Sequence, residues 1–175
     1  MANQMVHTVA KTAPKDDQSW LINRITDGVR EAQLDLATFT KDKSHENDYF
    51  ASITDDDYEA WTKSGIPLAQ ITGTNNYGPY DPNAVDGRNG TIIGFLESQV
   101  HVQFTRTGFE DQYPTVGVRY MGVIDKKNLP YTVDFSKAKL EGLFLDYDKG
   151  AAAPHVTVLN PATAAASASD TSHTA

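Results

Sequence analysis

Apolar and polar residues alternate along much of the chain with the two-residue period of half-buried strands, and Gly, Pro, Asn and Asp cluster where that rhythm breaks. The cleanest run is Val100–Thr107, with Val100, Val102 and Phe104 on one side and His101, Gln103 and Thr105 on the other. Val116, Val118, Tyr120, Gly122 and Ile124 form a second, in which Gly117 and Gly122 mark close backbone approach or a bulge. Thr91–Ser98 reads as a further strand, and His155–Leu159 as a short last one. Ile66–Thr72 predicts a strand with Pro67 near its start, hence an edge position. Val29–Thr40 fits two periods: Ala32, Leu34, Leu36 and Thr38 alternate, while Val29, Ala32, Leu36 and Phe39 fit a helix. The β character of Thr38-Phe39-Thr40 favours the strand.

Three segments read as helices. Leu21, Ile22, Ile25 and Val29 share a face, with Asp16 or Asp17 as cap and Gly28 as stop. Thr54 with Asp57 three on starts a short helix through Trp61, stopped by Gly65. Leu140, Leu143, Phe144 and Tyr147 follow Asp134 at i, i+3, i+4 and i+7, the strongest helical pattern in the chain. Residues 41–53 read as a polar surface loop and Asp125–Asn128 as a turn. Residues 1–17 predict an extended arm too poor in apolar residues to fold alone, and residues 161–175 a disordered Ala/Ser/Thr tail. The expected fold class is α+β and β-rich. One small domain over residues 18–160 mixes strands with two or three short helices.

Two apolar runs, Ile66–Ile71 and Thr91–Leu96, flank a long stretch of Gly, Asn, Pro, Asp and Tyr. Gly73, Gly78, Gly87 and Gly90 permit unusual backbone angles and Pro79 and Pro82 fix φ. Tyr77 and Tyr80 supply side chains with which such a loop packs, so it reads as ordered and shaped.

The order Ser64-Gly65-Ile66-Pro67-Leu68, Ile71-Thr72, Tyr77-Gly78-Pro79-Tyr80-Asp81-Pro82, Asp86-Gly87 and Gly94-Phe95-Leu96 resembles the head decoration (capsid-cementing) proteins of tailed phages, the lambda-D-like family. The likeness spans roughly residues 60–147. It implies a small β-rich fold that assembles as a homotrimer on the outside of the virion shell. The partner is then the major capsid protein, and the shell is stiffened against the pressure of its DNA. It also implies an N-terminal arm that orders against the capsid, partly by strand addition. On that expectation Val6, Val9, Leu34, Leu36 and Phe39 are the candidate capsid contacts. Trp61, Tyr77 and Tyr80 are candidates for loop packing or the trimer interface. The region before Trp61 is longer than compact members of the family need, and the Ala/Ser/Thr tail has no family equivalent.

Composition narrows the chemistry. The 175 residues carry a formal charge of -8 with no basic block, which disfavours a nucleic-acid surface. No apolar run reaches the length of a membrane span, and Met1–Asp17 lacks the apolar core of a secretion signal. Absence of cysteine excludes thiolate ligands, thiol nucleophiles and disulfides. His7, His45, His101, His155 and His173 are scattered without metal-ligand spacing. Asp55-Asp56-Asp57 suits a first helical turn better than a metal cluster. Asp81-x-Asn83-x-x-Asp86-Gly87 resembles a calcium loop but is out of register, with Ile92 where the bidentate Glu belongs. No nucleophile motif, P-loop or dinucleotide fingerprint is present. The reading is a non-enzyme with no catalytic residues, metal or cofactor. A second reading is a carbohydrate-binding module on a phage or cell surface, in which Trp61, Tyr77 and Tyr80 stack on sugars.

Overall fold

A computed structural model describes residues 13–24, 27–41, 45–54, 58–148, 150 and 156–159. Its organising strand is β7 (Thr91–Leu96; strands are numbered in chain order), in which every residue after Thr91 is buried. Such a run is what a strand covered on both faces requires. Ile93 and Leu96 enter one core, Ile92 and Phe95 another.

The first core fills a closed ring of five strands. β2 (Val29–Leu34) runs antiparallel to β10 (Thr115–Arg119), which in turn pairs antiparallel with β7 through Val118↔Leu96 and Arg119↔Phe95. β7 pairs antiparallel with β5 (Pro67–Gln70), and β5 with β6 (Asn76–Pro79). β6 returns parallel to β2 through Leu34↔Tyr77, closing the ring and leaving these strands without free edges. Leu34, Leu68, Leu96 and Val118 are fully buried in this core. A four-stranded antiparallel sheet extends it: β3 (Phe50–Thr54), β4 (Glu59–Thr62), β8 (His101–Thr105) and β9 (Gly108–Phe109), in that order. Its inward Phe50, Ala60 and Val102 meet Leu36, Phe39 and Tyr49.

The second core lies between the outside of β5 and β7 and another four-stranded sheet. That sheet runs β1 (Leu21–Arg24), β11 (Met121–Ile124), β13 (Leu143–Tyr147), β14 (Val156–Val158). Trp20, Phe95, Ile124 and Phe144 dominate the layer, with Phe95 and Phe144 edge to face at 4.8 Å. β12 (Lys139–Leu140) joins β7 in parallel on the same side.

Closure of the ring depends on Gly94. At φ 156° its backbone passes so close to β10 that a Cβ would stand 2.2 Å from the Arg119 carbonyl oxygen. The β5–β7 ladder steps from Leu68↔Gly94 to Ala69↔Ile92, a bulge that bends β7 into the ring. Buried Arg119 then clasps Glu97 with Nε and Nη2, at 2.5 and 2.8 Å.

The β-rich expectation holds, but the predicted helices do not. Leu21–Arg24 is a strand paired with β11, and residues 25–26 lie outside the described part. Glu59–Thr62 is likewise a strand, with residues 55–57 outside the description. The pattern after Asp134 is β12 and β13. Leu140 and Phe144 are buried four residues apart, a spacing that shares a face in a helix and in a strand alike, whereas Leu143 is exposed. Among the described residues the α-helix is one turn, α1 (Glu46–Tyr49), with 3₁₀ turns at Leu36–Thr38 and Lys126–Asn128.

Smaller boundaries also move. The strand from Val29 stops at Leu34, where the Asp35 side chain caps the first 3₁₀ turn. The expected loop at 41–53 carries α1 and β3, and Val116–Ile124 divides at Tyr120 into two strands. β5 is not an edge, because it lies between β6 and β7. Pro67 is tolerated as its first residue.

Replacing Gly94 with alanine is therefore expected to destabilise the fold by more than ~2 kcal/mol, since backbone must move. Gly73→Ala, where a Cβ meets nothing within 4 Å at φ +78°, should cost only about 1–2 kcal/mol. Urea unfolding of the two variants checks the ranking, and equal losses would refute it.

Candidate functional site

The stretch expected as one long loop is β6 followed by a braced turn over residues 80–90. Arg88, almost fully buried, holds it from inside. Its Nη1 donates to the Pro79 carbonyl at 2.9 Å and its Nε to Asp86 Oδ1 at 3.0 Å. Lys41 Nζ donates to Asp86 Oδ2 at 3.3 Å. Burial alone would raise the Asp86 pKa. The Arg88 charge, its hydrogen bonds and Lys41 outweigh that and hold the carboxyl below the usual range. Gly87, at φ +97°, leaves no room for a side chain: a Cβ would stand 2.1 Å from Thr72 Oγ1. Asp81 accepts from the Asn83 amide at 2.8 Å, so these carboxylates are turn formers. Among the described residues no group of three His, Asp or Glu is placed to hold a metal ion. Val85 stands almost wholly exposed at the tip.

Beside this turn a cleft of about 300 Å³ is lined by His45, Tyr49, Tyr80, Asp81, Tyr131 and Lys137, among others. Tyr131 meets Tyr49 edge to face at 5.6 Å and donates its hydroxyl to the Tyr80 carbonyl at 3.0 Å. Burial pushes the Tyr131 hydroxyl well above its ordinary pKa. Burial, then Asp134 and Asp81, raise that of Tyr80. Tyr131 therefore stays protonated and serves as a donor to the Tyr80 carbonyl. Tyr49 and Tyr80 expose less than a tenth of their surface, which leaves little ring face for a sugar.

Leu34, Leu36 and Phe39, expected as capsid contacts, are at most 1% exposed. They fill the barrel core and its extension, so none can meet a partner without unfolding. Val6 and Val9 lie outside the described residues. Tyr77 packs half-buried against the barrel core and Tyr80 sits in the second core, both bracing the loop. Trp61 is half-buried on the far face of its sheet, where its cross-strand neighbour His101 stacks on it at 4.6 Å. Glu59 lies 3.7 Å from His101 Nε2. The structure thus separates Trp61 from the loop tyrosines.

The sequence reading missed the outer face of the β1–β11–β13–β14 sheet. Register places Met121, Val123, Leu143, Leu145, Tyr147, Val156 and Val158 on one side. Leu143, Val156 and Val158 are 49%, 53% and 55% exposed, and none of the seven bears a charge. The two-residue period of Leu143, Leu145 and Tyr147 was the available signal.

These features define a β-rich body with a braced loop and an open apolar sheet face. No family model matches the chain, and no curated protein or solved structure matches it.

Arg88→Met is expected to cost about 1–3 kcal/mol at neutral pH, because it strands the Pro79 carbonyl and leaves Asp86 with Lys41 alone. Asp86 titrates lower folded than unfolded. Its contribution is therefore complete above the ordinary carboxylate pKa and lost as pH falls through the folded value. Urea melts should show the gap between wild type and variant narrowing below about pH 4. A pH-independent gap contradicts the pairing.

Proposed function

We propose that this chain is a structural, non-catalytic protein that binds the exterior of a tailed-phage capsid as a homotrimer and stabilises the shell. The observation that carries the assembly in this proposal is the uncharged, apolar sheet face on an otherwise acidic molecule, since exposed apolar patches of this kind mark surfaces that another chain covers. The capsid as partner rests on the resemblance. Its motif residues fall in one structural unit, β5–β6–turn–β7, and several have a definite task there. Gly65 lies against the Trp20 ring, Pro67-Leu68 opens β5, Asp86 anchors Arg88, and Gly94 closes the barrel.

Residues 1–12 of the expected 1–17 arm supply the proposed contact. They connect to a segment tied to the body, where Gln99 Nε2 donates to the Pro14 carbonyl and Ser64 Oγ to that of Asp17. An alternating stretch carrying Val6 and Val9 can add to an exposed strand edge on the shell. One arm binds weakly, but three on one trimer gain avidity of ~10²–10⁴. Each trimer then ties several capsid subunits together.

Co-sedimentation with undecorated capsids from a phage encoding this chain tests the proposal. Saturable binding approaching one copy per capsid subunit is expected. Deleting residues 1–12 should weaken it at least tenfold while leaving the melting temperature unchanged. Wild-type protein that stays in the supernatant overturns the reading.

A further inference from the structure

We infer that the outer face of the β1–β11–β13–β14 sheet is where copies of this chain meet one another. This deepens the proposed homotrimer by assigning its subunit interface, leaving the shell to other surfaces. Three observations select a second copy as the occupant.

The first is area. Leu143, Val156 and Val158 are about half exposed, and with Met121, Val123, Leu145 and Tyr147 they present on the order of 400 Å² of apolar surface. A standard interface covers ~800 Å² per partner, with an apolar centre inside a polar rim. The patch matches such a centre.

The second is charge. Each copy carries -8, so most orientations of approach are repulsive. Here the seven central side chains are neutral. Among the described residues near its ends, Lys127 Nζ pairs with Asp148 at 2.7 Å and Arg30 with Glu141 at 3.2 Å. Copies arranged about a shared axis beside this face therefore converge on neutral side chains, among the described residues, at its centre.

The third is the strand edge. β14 ends the sheet, and no described strand pairs with its far side. Its Val156 and Val158 stand beside Tyr147 and Leu145, so the apolar face continues to that edge. Residues 160–175 are a poor alternative cover, since apart from Ala they offer no apolar side chain but Pro161.

Sedimentation equilibrium of the full chain across 1–100 μM tests this without any capsid. Self-association is expected, with the double variant Leu143→Asp/Val158→Asp raising the dissociation constant at least ~100-fold. Both sites are half exposed, so the monomer should melt as the wild-type monomer does. Val156→Lys/Val158→Lys, confined to the edge strand, serves as a second variant should the first fail to fold. A wild-type chain monomeric throughout, or variants that associate as tightly as wild type, overturns the inference. So does association that appears only once residues 160–175 are deleted, because the chain itself would then cover the face. Capsid co-sedimentation is read separately. Association lost in the variants beside wild type that never pellets with capsids refutes the decoration role alone. Capsid binding by a chain that stays monomeric refutes this interface and the homotrimer, and leaves capsid binding itself standing.

Discussion

Burial of β7 on both faces is the constraint on which the rest of the structure depends. A strand with Ile93 and Leu96 on one side and Ile92 and Phe95 on the other cannot be covered by one layer. The barrel supplies the first cover, and the β1–β11–β13–β14 sheet with Trp20, Phe135 and Leu140 supplies the second. Gly94 sits where these demands collide, because the bulge that turns β7 into the ring also presses its backbone against Arg119. Every neighbouring strand is then positioned by a contact with β7 or with a strand that touches it.

This arrangement also decides which surfaces remain free. The sheet over the second core spends its inner face on Phe144 and Ile124, and strict alternation sends Leu143, Leu145 and Tyr147 outward. The extension sheet spends its inner face on Phe50, Ala60 and Val102, and sends Trp61 and His101 outward. The braced turn is held from within by Arg88, so its tip projects without loosening. A molecule built this way presents fixed faces to its surroundings.

The sequence disclosed strands more faithfully than helices, for a physical reason. Val100–Thr105 alternates without exception, and the continuous run Ile92–Leu96 announces burial on both sides. Apolar residues four apart satisfy both periods, however, so Leu140 with Phe144 looked helical while belonging to two short strands. Ring closure through Val118↔Leu96 joins residues far apart in the chain, and no local pattern announces it. Tyr77 and Tyr80, expected at loop packing or a trimer interface, pack against the first and second cores. Leu34, Leu36 and Phe39 were misplaced because an apolar strand destined for a barrel reads the same as one destined for a partner. The open sheet face was hidden behind the mistaken helix.

The central structural claim is that β7 joins the two cores into one cooperative body, and native-state hydrogen exchange tests it most directly. The Leu96 amide, bonded to the Ile66 carbonyl, reports the barrel, and amides within β13 report the second layer. The account predicts that both groups exchange through the same global opening, with equal free energies and equal denaturant dependence. Amides of β13 that exchange through a separate, much easier opening while Leu96 stays protected would contradict it, and would make the barrel a unit that stands without its cover.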